Sequence, residues 1–207
     1  MPVKNSLKNY RAGGYYHVYN RGVEKRDIFL DEIDYSVFFS YLREYLMPKI
    51  EGDKKSLDRH LKNYTDNVDL LCHCLMPNHF HLLLKQMEER TISELVSSLT
   101  IKYSMYFNKR YRRGGRLFQG VFKAVEVTSN EQLVYLTKYI HLNPGQENAL
   151  NYEHSSIGNY LGMLTQPWVK PEEILAYFSK TNPSLTYENF LGLGMDLSWL
   201  SKITIDD

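Results

Sequence analysis

The sequence of 207 residues has only two cysteines, Cys72 and Cys74, separated by a single residue. On a strand both side chains would lie on one face, poorly placed to bridge each other, so no disulfide framework is predicted. No run of eighteen or more apolar residues is present, and the polar first residues lack the apolar stretch of a secretory signal. These absences predict a cytoplasmic protein with no membrane partner.

Acidic residues are missing from one stretch, residues 101–123, which we call the basic segment. It carries seven lysines and arginines, although the net charge of the whole chain is only +1. Tyrosine and phenylalanine lie among these cations, and the mixture suits phosphate pairing and base stacking on single strands. A solvated helix end with core aromatics is the alternative interpretation.

Hydrophobic periodicity predicts alternating strands and helices. The predicted elements are strand 15–21, helix 34–46, a charged loop over 49–66, hairpin strands 68–76 and 80–86, a helix from 91 or 93 to 110, strand 117–128, and a helix ending near 143. Thr128 and Glu131 have the spacing of a capping box before the last helix. The order predicts an α+β, ferredoxin-like βαββαβ sheet with helices on one face, followed by a further helix. We expect one domain over residues 10–145 and a C-terminal extension of loops and short helices over 146–207.

Two histidines, His79 and His81, flank Phe80 in the second hairpin strand. Alternate strand residues share a face, so the imidazoles should project together while Phe80 turns into the core. Imidazole is the commonest protein metal ligand, and one strand that fixes two of them forms half of a metal site. The spacing is equally compatible with two histidines on a partly wetted sheet face.

The last predicted helix has an apolar stripe and a polar stripe. The apolar stripe consists of Leu133, Leu136 and Ile140, and the polar stripe consists of Tyr135, Tyr139 and Asn143. A tyrosine hydroxyl can attack phosphorus, and an amide oxygen can complete a site for a hard metal ion. A tyrosine at the core edge and an asparagine before Pro144 explain the pattern without any chemistry.

Four segments in order resemble those of the single-domain HUH tyrosine transposases, most closely the REP-associated tyrosine transposases of bacteria. They are GGYYHVYNRG, CLMPNHFHLLL, SLTIKYSMYFNKRYRRGGRLFQGVFK and YLTKYIHLNP, and the resemblance covers residues 10–160. It implies that His79 and His81 bind a divalent metal, that Asn143 is the third ligand and that Tyr139 is the nucleophile. Tyr135 does not lie at the family's nucleophile position.

The resemblance also implies an activity, a cofactor and a partner. The activity is cleavage and rejoining of single-stranded, hairpin-bearing DNA through a 5′-phosphotyrosine, with Mg²⁺ or Mn²⁺ as cofactor and bacterial nucleoid DNA as substrate. The basic segment would then supply the DNA-binding residues Lys102, Lys109, Arg110, Arg112, Arg113 and Arg116. Some relatives act as dimers and others as monomers, and the long segment after Pro144 favours a monomer over a homodimer. Relatives often carry tryptophan at the position of His154, so the contacts of that residue are in question.

Two other functions fit parts of the sequence. Cys72 and Cys74 could join His79 and His81 in a structural Cys₂His₂ zinc site on the hairpin. The cysteine spacing is shorter than usual for such a site, which would also leave Tyr139 unexplained. A protein of the same fold could instead bind DNA hairpins without cutting them.

Overall fold

A four-stranded antiparallel sheet forms the centre of the protein in the computed structural model, which describes residues 10–49 and 62–192. The strands are β1 (Tyr15–Arg21), β2 (Val68–Met76), β3 (His79–Gln86) and β4 (Lys123–Val127), in the spatial order β2-β3-β1-β4. Helix α1 (Glu32–Leu46) connects β1 to β2, and α2 (Thr91–Arg110) connects β3 to β4. This is the predicted ferredoxin-like topology, and the fold prediction is confirmed.

The two faces of the sheet differ in chemistry. Phe80 points into the core beneath the two connecting helices, where its ring centroid lies 5.5 Å from that of Phe38 in α1. Strand alternation turns His79 and His81 to the opposite face. The register of the β1–β3 pair places Tyr19 opposite His81, and Arg21 opposite His79. The sheet therefore has one apolar face and one face that carries histidines.

Helix α3 (Asn130–His141) covers the histidine-bearing face. Its predicted core residues Leu133, Leu136 and Ile140 are buried in one cluster with Cys72 and Leu83 of the sheet. The sheet thus lies between α1 and α2 on one side and α3 on the other. The helix that carries the candidate nucleophile therefore packs directly on the sheet face that carries His79 and His81.

Strand β4 is shorter than predicted, because residues 117–122 form a loop. The backbone N–H of Val23 donates to Leu117 at 2.9 Å, and that of Gln119 donates to Arg21 at 2.8 Å. These bonds fasten the loop to the end of β1, so the strand begins only at Lys123.

The predicted cap of α3 is wrong by one residue. Ser129 Oγ accepts a hydrogen bond from the Gln132 backbone at 3.1 Å, and Gln132 Oε1 accepts one from the Thr128 backbone at 3.0 Å. Ser129 and Gln132 have the same three-residue spacing and the same bonding chemistry as Thr128 and Glu131, so the sequence allowed either pair.

The segment after Pro144 pairs with the outer edge of β2. Leu75 N–H donates to His154 at 2.9 Å, and Lys170 N–H donates to Leu70 at 2.8 Å. The His154 ring stacks on Tyr35, with centroids 3.5 Å apart. The described part of the segment contains three short α-helices, α4 (Ile157–Tyr160), α5 (Glu172–Leu175) and α6 (Tyr187–Gly192). The boundary at residue 145 stays a prediction.

Some predictions fall beyond the described residues. These are most of the loop over 49–66 and the end of the extension from residue 193. Within the parts of the chain that the structure describes, no helix is both long and apolar enough to cross a membrane.

Candidate active site

The two histidines of β3 lie side by side beneath α3. Their ring centroids are 5.0 Å apart and their planes stand at 87°. His81 is fully buried and His79 is half-buried. Burial lowers the pKa of His81 well below its ordinary value, with further lowering by the charges of His17, His79 and Arg21. The His81 ring is therefore neutral at neutral pH, which is the form that ligates a metal.

Asn143 lies two residues beyond the end of α3 and meets His79. Its Oδ1 is 3.0 Å from Nε2 of His79, while Nδ1 of the same ring is 2.6 Å from Oδ1 of Asn78. A neutral imidazole has one N–H and can donate to only one of these oxygens. When Nδ1 donates to Asn78, the lone pairs of His79 Nε2 and Asn143 Oδ1 face each other, as two ligands of one cation do.

Three observations test whether these residues fit a divalent ion. Ligands at about 2.1 Å and at right angles lie about 3.0 Å apart, as in octahedral Mg²⁺ sites, and His79 Nε2 and Asn143 Oδ1 are separated by 3.0 Å. The buried Nε2 of His81 has no hydrogen-bond partner among the described residues, an arrangement that costs about 1–3 kcal/mol when nothing compensates it. The donors are two imidazoles and an amide oxygen, which suit a borderline or hard ion. The set fits the metal, and the ligand roles stay a prediction.

Tyr139 lies one helical turn before Asn143 and packs over His81 of its own chain. Its ring meets the His81 ring at 90°, with centroids 5.6 Å apart. Tyr135, one turn earlier, contacts Phe190 instead, at 5.2 Å between ring centroids. The structure thus brings the Tyr139 ring to His81 and the Tyr135 ring to Phe190.

Sequence reasoning missed His17, which is fully buried in β1. Its Nε2 lies 2.8 Å from Nδ1 of His81, and its ring centroid lies 6.2 Å from that of Tyr139. Strand alternation could have placed His17 and Tyr19 on one face. That face lies beside His81 only because of the register between β1 and β3. The residue pattern of β1 alone does not determine this register.

Comparison with known proteins shows the family of the chain. A family model described as "Transposase IS200 like" matches residues 14–143. The chain belongs to the IS200-like transposase family. Its motif resemblance to tyrosine transposases is thereby confirmed.

This transposase also matches solved structures. The chain is similar to a REP-associated tyrosine transposase bound to a REP hairpin, with 14% identity, a TM-score of 0.50, and coverage of 89% of this chain and 97% of that chain. It is also matched by a putative transposase from Deinococcus radiodurans R1, with 18% identity, a TM-score of 0.40, and coverage of 65% and 94%. No curated protein matches the chain with significance.

The basic segment of the transposase is partly engaged within the molecule. Lys102 pairs with Glu44 at 2.6 Å. Arg110 pairs with Asp31 at 2.6 Å and with the fully buried Asp34 at 2.8 Å. The Arg113 guanidinium donates to Asn108 at 2.9 Å. The remaining three candidates, Lys109, Arg112 and Arg116, are exposed and form no ion pair with any described residue. These three are the cations most available to DNA phosphates.

The structure does not assemble the alternative zinc site. The Cys72 sulfur lies 3.3 Å from Nε2 of His141, and the Cys74 sulfur lies 3.8 Å from that of Met76. Burial raises the pKa of both thiols above the ordinary value. Among the described residues, no group of three or more His, Cys, Asp or Glu side chains could hold a metal ion. This finding does not concern the set of His79, His81 and Asn143, because only two of its three side chains are of these types.

Helix α3 is fastened to the C-terminal segment of its own chain. The Tyr187 hydroxyl of α6 lies 3.0 Å from Thr137 Oγ1 and 2.7 Å from His141 Nδ1. Lys138 Nζ donates to the Phe190 carbonyl at 2.7 Å, and burial lowers the pKa of this lysine. These contacts join the helix that carries Tyr139 to α6 of the same chain.

Proposed function

We propose that this transposase cleaves and rejoins single-stranded, hairpin-bearing DNA through a 5′-phosphotyrosine on Tyr139. One observation carries the proposal: the phenol of Tyr139 and the three candidate ligands lie together in one chain. The Tyr139 and His81 ring centroids are 5.6 Å apart, and His79 Nε2 is 3.0 Å from Asn143 Oδ1.

The residues allow a balanced transesterification. The Tyr139 oxygen forms a bond to phosphorus as the bond to the 3′-oxygen breaks, so a 3′-hydroxyl is released and a phosphotyrosyl ester remains. A phenol is ordinarily protonated at neutral pH, so its proton must leave to water as the bond forms, and the leaving oxygen takes one up. A bound Mg²⁺ or Mn²⁺ would offset the charge on the non-bridging oxygens. Attack of another 3′-hydroxyl on the ester reverses the step, and no ATP is needed.

Hairpin DNA as the partner is supported by two observations. The REP-associated transposase of similar fold is bound to a REP hairpin. In this chain, Lys109, Arg112 and Arg116 extend into solvent at the end of α2 and the turn that follows. We assign these cations to phosphate binding, which positions the strand and leaves the chemistry to Tyr139.

The same geometry supports action as a monomer. The nucleophile packs over the histidines of its own chain, and α6 fastens the helix that carries it through Tyr187 and Lys138. A partner subunit is therefore not needed to complete the site.

Removal of the ligands tests the proposal. In Mg²⁺ or Mn²⁺, His79→Ala, His81→Ala and Asn143→Ala should each lower the cleavage rate by about 100-fold or more, because a metal contributes several kcal/mol to the transition state. Binding of the same oligonucleotide should change much less. Asn148→Ala is the matched control, because Asn148 is an exposed asparagine only five residues from Asn143.

Two results would count against the proposal. Full cleavage in excess EDTA would remove the metal from the mechanism. Hairpin binding by the wild type with no cleavage in either metal would favour the non-cleaving hairpin-binding protein instead.

A further inference from the structure

His17 lies at the centre of the site without being a candidate ligand. It is fully buried, and its Nε2 lies 2.8 Å from Nδ1 of His81. The two ring planes differ by only 13°, so the hydrogen bond runs close to the plane of both rings. The Tyr139 ring stands nearly perpendicular to both imidazoles, at 79° to His17 and 90° to His81.

The direction of this hydrogen bond determines which nitrogen of His81 carries the proton. The bond holds one N–H, on either His81 Nδ1 or His17 Nε2, because only one of two facing ring nitrogens can donate. If His81 donates, its Nε2 presents a lone pair where no described residue bonds to it. If His17 donates, the His81 proton moves to Nε2 and becomes a buried N–H without a partner, which is rare in proteins.

We propose that His17 is a positioning residue, which accepts the Nδ1 proton of His81 and so holds Nε2 as a lone-pair donor toward the metal. The inference rests on the proposed function, since it concerns the same site. Metal-bound histidines generally make such a bond with the second ring nitrogen, and it fixes both tautomer and ring orientation. The Tyr139 ring packs against both imidazoles, so the same bond supports the surface on which the nucleophile rests.

The strand itself does not require this imidazole. His17 stands opposite Leu83 in the β1–β3 ladder and opposite Val125 in the β1–β4 ladder, so its backbone bonds do not depend on the side chain. Leucine would fill much of the space and remove the acceptor. Glutamine reaches about as far as the histidine Nε2 and offers an amide oxygen in its place. His17→Leu and His17→Gln therefore form a matched pair.

The experiment is calorimetric titration of Mn²⁺ into the full chain without DNA. His17→Leu should weaken Mn²⁺ binding by about 10–100-fold, the usual effect of losing a partner of this kind, and His17→Gln should retain most of the affinity. Circular dichroism melting of each variant reports folding separately. A purely structural role for His17 would move the melting temperature and leave the affinity of the folded protein unchanged.

A measurement on the wild type does not depend on any variant. Long-range ¹H–¹⁵N correlation of the histidine side chains should show the His81 proton on Nδ1, and a proton on Nε2 would overturn the inference. Equal Mn²⁺ affinity in the wild type and His17→Leu, or equal losses in both variants, would overturn the role of His17 alone. Absence of Mn²⁺ binding by the wild type would overturn the metal site of the proposed function, and this inference with it.

Discussion

Neutralising two of the three exposed cations should change how salt weakens DNA binding. Each phosphate contact to a single strand contributes about 0.7 to the slope of log affinity against log salt. Arg112 and Arg116 are exposed and lack ion pairs to described residues. The Arg112→Gln, Arg116→Gln double variant should therefore flatten the slope by about 1.4.

That slope corresponds to a measurable difference in affinity. When salt rises from about 50 to about 200 mM, the wild type should lose about seven times more affinity than the double variant, since a fourfold change is raised to the power of about 1.4. Fluorescence anisotropy of a labelled oligonucleotide across the salt series gives both slopes. Cleavage at saturating DNA should change much less, because neither arginine contacts the candidate catalytic residues.

A control of equal charge separates contact from long-range attraction. Lys62→Gln, Lys102→Gln also removes two positive charges, but these lysines pair with Glu94 and Glu44, each at 2.6 Å. At about 0.1 M salt, charges more than about 10 Å from the DNA are largely screened. The control should keep the wild-type slope. Equal slopes in all three proteins would refute the assignment and return the end of α2 to a solvated surface.

Two further predictions concern stability. Tyr187→Phe should lower the free energy of unfolding by about 1–3 kcal/mol, since it removes the hydroxyl that meets Thr137 and His141. Urea unfolding tests this against Tyr177→Phe, a half-exposed tyrosine, and equal stability of the two variants would contradict it. Burial lowers the pKa of His73 from 6.5 to about 4, so the unfolded chain binds one more proton between these values. As pH falls through that window, His73 should lower the free energy of unfolding by about 1.4 kcal/mol per pH unit. A His73→Gln variant whose unfolding has the wild-type pH dependence would contradict this prediction.

Local patterns predicted the parts of the site that depend on one element. Period-two alternation put His79 and His81 on one face, and helical spacing put Tyr139 one turn before Asn143. The family resemblance added their roles. The contact between Asn143 and His79 could not be predicted from a local pattern, because it depends on how α3 packs on the sheet.

Contacts distant in sequence account for what was missed. His17 reaches His81 only through strand register, and Arg110 is engaged by Asp31 and Asp34, which no local charge count relates to it. The sequence around Arg110 reads as a uniform basic surface. In the structure, some of these cations form ion pairs within the molecule and others are exposed.

The most direct test of the central claim is transfer of a labelled hairpin oligonucleotide to the protein on a denaturing gel. With Mn²⁺ present, the wild type and Tyr135→Phe should both form a covalent adduct, and Tyr139→Phe should form none. The two variants remove the same hydroxyl from the same helix, but only Tyr139 lies over His81. An adduct retained in Tyr139→Phe, or lost in Tyr135→Phe alone, would contradict the account.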